Sequence, residues 1–459
     1  MKRSNKHQIQ KVTFASLVGG INTALPGEQI GEADMQVADN YWYTKDSQRL
    51  SGRGGLSSHL FSFGSPIVKM YYDVGLNYTY VFLENNTMRL LNFADGTSRS
   101  LGTLTGERDD RGYVLPTCAY FNGKLWVASG GKLQYSQGGS GSLYTVQDSP
   151  PCDVCFQRNA RIMVTRIGED NIYYSSVGDG ATWAEDTNDA SSAQWVEVGY
   201  GDEGDICAVV PMATDLFVLK TQGTWYQFQG DNDTNSWLIT PIATGVDAIG
   251  RMNAVNIGSS VVYLSRRGLR SLEAVMDYGN VATKDIGDKF QSLITTSLVD
   301  TARMVNLRRH KTLLIRPTSD HTYWVAFNYA LNAATVFRFG VSVTDIVETP
   351  DRILVASGGK VYEMSEEYFT DAGEPISYVL KPRDIISSDD ILVKNIDTKF
   401  TSAWDGTATV SIGDRLHVDM PVDGRRKVHC NHSDETISLK VESSVPLEVD
   451  HIMLDIVDL

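Results

Sequence analysis

Leu125-Trp-Val-Ala-Ser-Gly-Gly-Lys-Leu-Gln-Tyr-Ser136 runs an apolar, strand-like segment into a Gly-Gly turn and leaves it along a second strand-like segment. The same text returns downstream as Ile353-Leu-Val-Ala-Ser-Gly-Gly-Lys-Val-Tyr-Glu-Met-Ser365. One hairpin written twice in a chain is the mark of a repeat architecture.

Five more hairpins share the plan. They are Tyr78–Leu83 with Met88–Leu91, Arg161–Thr165 with Ile172–Tyr174, Leu216–Leu219 with Trp225–Phe228, Val261–Leu264 with Leu269–Leu272, and Leu313–Ile315 with Tyr323–Phe327. The seven turns fall at 86, 131, 169, 223, 268, 320 and 359, a mean spacing of about 45 residues, which suits a β-propeller blade of four short strands. A helical repeat of this length would show 3.6-residue periodicity, whereas these segments show apolar runs and alternation. A lone blade cannot bury both faces, and a ring of seven covers each face with a neighbour. The reading is therefore all-β, with a propeller of about seven blades over 66–381. Inner strands should be the near-continuous apolar ones, such as Leu216–Leu219, and outer strands polar and uneven in length. Residues 178–194 read as an outer loop. Phe290, Leu293, Ile294 and Leu298 stand at helical spacing and predict a short helix within 288–301, between blades five and six.

The flanks differ. Residues 1–65 hold no repeat and read as an extended strap over the propeller surface, an oligomerisation segment with a short helix within 31–40. Beyond Pro382, alternating runs at 391–394, 396–400, 408–412, 437–441 and 452–457, with turns at Asp405-Gly406, Gly413-Asp414 and Asp423-Gly424, predict a C-terminal β-sandwich over 382–459. Neither flank is needed, on this reading, to close the ring.

Composition bounds the function. The chain has 459 residues, 42% of them hydrophobic and 21% charged, with 40 Gly, 21 Tyr and 8 Trp. That profile belongs to a folded protein rich in strands and tight turns. The formal charge of −15 excludes wrapping DNA by counterion release, which needs clustered Lys and Arg; an acidic wall along which DNA slides, or plain solubility, fits it. Five cysteines form no disulfide framework. The basic start Met-Lys-Arg-Ser-Asn-Lys-His is followed by no apolar stretch and is not a signal peptide. No run approaches a membrane helix, so folding in a reducing cytoplasm is expected.

No P-loop, Rossmann glycine fingerprint, HExxH or GxSxG occurs, and no enzymatic activity or cofactor is expected. Asp215, Asp247, Glu273 and Asp345 lie near strand ends and could face a central channel, as carboxylates do in propeller glycosidases. Cys152-Asp-Val-Cys155 lacks the second pair a zinc site requires. Gly230-Asp-Asn-Asp-Thr-Asn235 resembles half a calcium loop without its sixth-position glycine and distal glutamate. His429-Cys430-Asn431-His432 offers metal ligands but no fourth donor. The dense basic clusters are Arg308, Arg309 and Lys311, and Arg425, Arg426 and Lys427. Each reads as a solvated turn, or as a contact for an acidic partner or a DNA phosphate.

Three short motifs near the start carry a resemblance: Gly19-Gly20-Ile21-Asn22, Asp39-Asn40-Tyr41-Trp42 and Leu50-Ser-Gly-Arg53-Gly-Gly55. They resemble the opening of short-tailed phage tail-tube proteins. A propeller followed by a small β domain is similar to the tail hub, or nozzle, of podoviruses and to the packaged DNA stabilization protein family. The resemblance implies a structural virion protein, made in the host cytoplasm. It implies a homohexameric ring below the portal and tail adaptor that extends the DNA channel, contacts double-stranded DNA only transiently, carries tailspikes or tail fibres, and holds a needle or plug protein. It implies no membrane anchor. The rival reading is a carbohydrate-binding or glycoside-acting propeller.

Overall fold

Seven antiparallel sheets succeed one another along the chain in a computed structural model of the protein. It describes residues 9–14, 17–44, 49–106, 115–138, 141–166, 168–202, 204–212, 215–249, 253–258, 260–274, 281–296, 298–299 and 301–458; the basic start at 1–7 lies outside them. Blades one to six span 67–103, 117–145, 154–197, 206–247, 254–285 and 303–338, each of four consecutive strands. Blade seven begins at 343 and contributes three strands of its own, ending with Lys360–Ser365. All seven hairpins read from the sequence are the second and third strands of these blades.

The repeated text keeps its register. Val127 stands opposite Gln134, and Val355 stands opposite Tyr362, the equivalent pair. The turns differ with context. In blade seven the ladder runs on to Ser357 and Lys360 across a tight Gly358-Gly359 turn, where Gly358 takes φ 54°, a conformation open to glycine at little cost. In blade two the glycines turn outward to Cys152 instead. The Gly130 amide donates to the Cys152 carbonyl at 2.7 Å, and the Cys152 amide donates to the Gly131 carbonyl at 2.9 Å.

The first strands of neighbouring blades adjoin around the centre. Leu216–Leu219 therefore belongs to a second strand, one step out from the channel, and not to the innermost one. It is apolar throughout because it is packed on both sides. Leu216 and Val218 join the core against blade three, and Phe217 and Leu219 join the core against blade five. The segment 178–194 links the third and fourth strands of blade three, and its Trp183 is buried in the core that holds Trp126. The short helix is present between blades five and six as a 3-10 turn, Asp288–Phe290, running into Gln291–Thr295, with Phe290 and Ile294 buried.

The N-terminal segment corrects the reading of a surface strap. Gly55–Leu56 and Phe61–Ser62 pair antiparallel with the third strand of blade seven, Leu56 against Met364 and Phe61 against Val361. This segment supplies the fourth strand of the last blade, with Thr370–Asp371 and Glu374–Pro375 following outside it, so it does close the ring. The helix expected within 31–40 is instead a strand, Asp34–Asp39, paired parallel with blade six at Val336 and antiparallel with Tyr378–Pro382. Pairing on both sides decides the conformation over local pattern.

Through that strand the blade-six sheet continues into the sandwich, in the order Ala333–Arg338, Asp34–Asp39, Tyr378–Pro382, Leu439–Ser443, Thr407–Ile412, Leu416–Pro421. The second layer runs Tyr41–Tyr43, Leu50–Gly52, Glu448–Asp458, Ile385–Thr401, Gly424–Ile437, with Gln10–Phe14 also on Glu448–Asp458. The two layers share one core, including Phe14, Tyr41, Tyr43, Ile396, Val410 and Leu454. Both ends of the chain thus build the sandwich. The runs at 391–394 and 396–400 are a single strand with a register shift between Val393 and Asn395. The strand Gly424–Ile437 escaped the sequence because its residues are mostly polar and mostly exposed.

Candidate functional site

The two basic clusters sit on different modules. Arg308–His310 forms a 3-10 turn between the first two strands of blade six, and Lys311 closes it at φ 51°. Arg308 and Lys311 are exposed. Arg309 is committed inward: its Nε donates to Glu348 at 3.1 Å, and a second nitrogen donates to the Pro350 carbonyl. His310 stacks on Trp42 with ring centres 4.5 Å apart and reaches the same carboxylate at 3.3 Å. Burial pushes the Glu348 carboxyl up, but His310 and Arg309 together hold it below the usual range. Arg309, His310 and Trp42 line a cleft of about 440 Å³ whose other wall carries Arg352, Glu363 and Met364.

The second cluster lies along Gly424–Ile437, and the sandwich engages all three residues. Arg425 grips Asp397 with both arms of its guanidinium at 2.9 and 2.5 Å. Lys427 donates to Asp455 at 2.6 Å, and Arg426 donates to the Asp419 carbonyl at 3.2 Å. Of the six sequence-derived contact residues, the exposed Arg308 and Lys311 keep their charges most available to a partner.

The three described carboxylates of the four, Asp215, Asp247 and Asp345, are held on different strands by different partners. Asp345 is buried on the first strand of blade seven and accepts the Met70 amide at 2.6 Å. Asp215 lies at the start of a second strand and accepts from Gln227 at 2.5 Å and Gln229 at 3.0 Å. Asp247 ends an outer strand and caps the Arg266 amide at 3.0 Å. Glu273 belongs to a third strand, and its side chain lies outside the described residues.

The remaining motifs have structural partners. Cys152 and Cys155 are buried free thiols, and burial pushes Cys155 up to about 11, which leaves it poorly ionised and unreactive. Asp231 and Asp233 turn their carboxylates onto the amides of Asp233 and Asn235, both at 2.9 Å, so the half calcium loop caps itself. His429 bonds Asn395 at 3.1 Å while Cys430 points to the Val393 carbonyl. Among the described residues no group of three or more His, Cys, Asp or Glu is placed to hold a metal ion.

The residues with the densest bonding came from the N-terminal motifs, and their pairing was not readable from sequence. Arg53 is fully buried and uses all five of its N–H groups. Nε donates to Asn40 Oδ1 at 2.9 Å, and Nη1 donates to the Gly54 carbonyl at 3.0 Å and to Asp371 Oδ1 at 2.9 Å. Nη2 donates to the Arg338 carbonyl at 3.1 Å and to Asp371 Oδ2 at 2.5 Å. The guanidinium lies 4.5 Å from the Phe339 ring centre. Asn40, at φ 63°, also accepts the Arg338 amide at 2.7 Å and donates to the Ser377 carbonyl at 2.8 Å. Gly20 takes φ 75°, and a Cβ there would lie 2.5 Å from the Ala334 nitrogen on blade six. These contacts form one clasp joining the N-terminal segment, blade six, and the connection from blade seven to the sandwich. The flanking glycines of Arg53 were the only local signal, because Asp371 lies 318 positions away.

No protein-family model matches the chain, and no curated protein matches it. Among solved structures the chain is similar to BamB from Moraxella catarrhalis, at 11% identity and a TM-score of 0.42 over 70% of this chain and 92% of that one. It is also similar to the WD40 β-propeller domain of Doa1, at 11% identity and a TM-score of 0.41 over 68% and 96%.

Proposed function

We propose that the chain is a structural component of a short phage tail, a nozzle or hub that forms a sixfold ring beneath the portal and tail adaptor. It extends the DNA channel, retains packaged DNA and conducts it during ejection. Tailspikes or fibres and a needle or plug protein are its further partners, the virion tail is its location, and its role is mechanical rather than catalytic.

The observation that carries this reading is the clasp. The three N-terminal motifs behind the resemblance all contribute to it: Gly20 against blade six, Asn40 at its centre, and Arg53 bonded to Asp371. They serve the layout that the resemblance implies, a propeller bound rigidly to a small β domain. A net charge of −15 suits a surface past which DNA moves without sticking, and Arg308 and Lys311 offer exposed charges to an acidic partner.

The test is co-expression with candidate adaptor and portal proteins, followed by native mass measurement and electron microscopy. A six-copy ring on the adaptor is expected. A stable monomer that never joins the adaptor–portal complex, together with glycan binding, would overturn the reading in favour of a carbohydrate-binding propeller. A monomer in isolation would not, since tail rings can require their adaptor to assemble.

A further inference from the structure

A cavity of about 300 Å³ opens between blades five and six, lined by Asn256, Ile257, Gly258, Asn306, Arg308 and Tyr329. Asn256 ends the first strand of blade five, and Asn306 lies on the first strand of blade six. The Asn256 side chain is held at both ends. Its Nδ2 donates to the Pro211 carbonyl at 2.7 Å, and its Oδ1 accepts the Gly258 amide at 2.6 Å. The Asn306 side chain is only half satisfied. Its Nδ2 donates to the Asn256 carbonyl at 3.3 Å, which sets the orientation of the carboxamide, and its Oδ1 is buried without a donor. Buried acceptors in folded proteins nearly always have a partner.

The rim of the cavity is positive. Arg308 and Lys311 are exposed, and among the described residues no hydrogen bond or ion pair engages either side chain. The turn holds them beside Tyr329. The Lys311 amide donates to the Arg308 carbonyl at 3.2 Å, and the Tyr329 amide donates to the Lys311 carbonyl at 3.0 Å. The Tyr329 hydroxyl has no hydrogen-bond partner among the described residues. Burial raises it above its usual range, so it stays protonated and able to donate. Glu348, a charged neighbour of Tyr329, is already held by Arg309 at 3.1 Å and His310 at 3.3 Å. The cavity therefore presents free donors and positive charge at its rim and one unmet acceptor in its wall.

We propose that this cavity binds an aspartate or glutamate side chain carried on an extended segment of a partner protein. The carboxylate meets the planar fork of Arg308 in the bidentate arrangement that arginine favours. The Tyr329 hydroxyl is a further donor, and Lys311 adds charge from the rim. A backbone N–H of the same segment supplies the donor that Asn306 Oδ1 lacks. A DNA phosphodiester matches the rim but not the wall, because it carries acceptors only. The net charge of −15 also opposes its approach. The proposal rests on the reading of Arg308 and Lys311 as contacts for an acidic partner, and it names what that partner presents.

Fluorescence anisotropy on the full chain tests it, with a labelled octapeptide Gly-Ser-Glu-Glu-Ser-Glu-Ser-Gly at constant ionic strength. A peptide with Gln in place of each Glu and an eight-residue oligothymidylate are measured in parallel. Saturable binding of the acidic peptide alone is expected. Arg308→Gln should weaken it about tenfold, and Arg308→Lys should recover only part of that loss. Lys311→Glu, which reverses an exposed charge, should weaken it about fivefold. Arg426→Gln, in the other basic cluster, should leave it unchanged. Absence of saturable binding, equal binding of the Gln peptide, or binding within twofold of the parent in Arg308→Gln overturns the site. Should Arg308→Gln not fold, Lys311→Glu is read against the same threshold. Oligothymidylate binding that Arg308→Gln abolishes, without peptide binding, overturns the peptide in favour of a phosphate backbone. Ring assembly on the adaptor is a separate readout. A ring that forms while the peptide fails to bind removes the pocket alone, and peptide binding without a ring removes the tail reading alone.

Discussion

Replacing Arg53 by Met tests whether the clasp holds the chain ends to the propeller. The side chain is fully buried and its partner Asp371 is 1% exposed, so the change leaves an uncompensated carboxylate in the interior. Breaking a buried pair from one side costs about 3–5 kcal/mol. The Asn40 side-chain oxygen keeps the Arg338 amide, but the Gly54 and Arg338 carbonyls lose the Arg53 donors, which places the expected loss at the upper end of that range. Asp371 retains the Gly340 amide at 2.8 Å, which keeps the loss from rising further. Arg53→Lys preserves charge but not the fork, and should cost about 1.5–3 kcal/mol. The assay is urea unfolding followed by tryptophan fluorescence, with limited proteolysis between residues 53 and 66 as a local readout. Arg53→Met should lower the midpoint and release the N-terminal segment to protease before the blades unfold. A loss below about 1 kcal/mol, the range of exposed pairs, with unchanged proteolysis, would refute the reasoning.

Phe61→Ala should weaken ring closure, because Phe61 is buried between blades seven and one and packs edge-on against Phe93 at 5.2 Å. A loss of about 3–5 kcal/mol and faster hydrogen exchange in both Phe61–Ser62 and Lys360–Ser365 are expected. Gly20→Ala should cost more than about 1 kcal/mol, read as a lower thermal midpoint, since its φ of 75° and the contact with Ala334 both oppose a side chain. On acidification the sandwich should loosen before the propeller centre. Arg425 and Lys427 hold Asp397 and Asp455 below the ordinary carboxylate range, so their stabilisation is present above the unfolded value of about 4 and lost as pH falls through the folded ones. Asp345 is raised by burial and has the opposite sign, its protonation at low pH relieving a penalty. Hydrogen exchange of 391–401 and 448–458 against 343–348, followed below about pH 4, checks the order.

The seven-hairpin count was legible without coordinates because each hairpin is local. Strand, turn and strand lie within one short segment, and burial between two blades demands an apolar residue at every position rather than every second one. That is why Leu125–Ser136 and Ile353–Ser365 read alike and keep the same register. What the tertiary structure alone decided is how the ring closes and what the ends of the chain do. Gly55–Leu56 and Phe61–Ser62 are too short to carry a period, and their partners lie about 300 residues on. The same distance hid the Arg53–Asp371 pair, which no local pattern connects. The cavity between blades five and six was equally invisible, since Asn256, Asn306 and Tyr329 come from separate strands of two blades and line one space only when those blades pack.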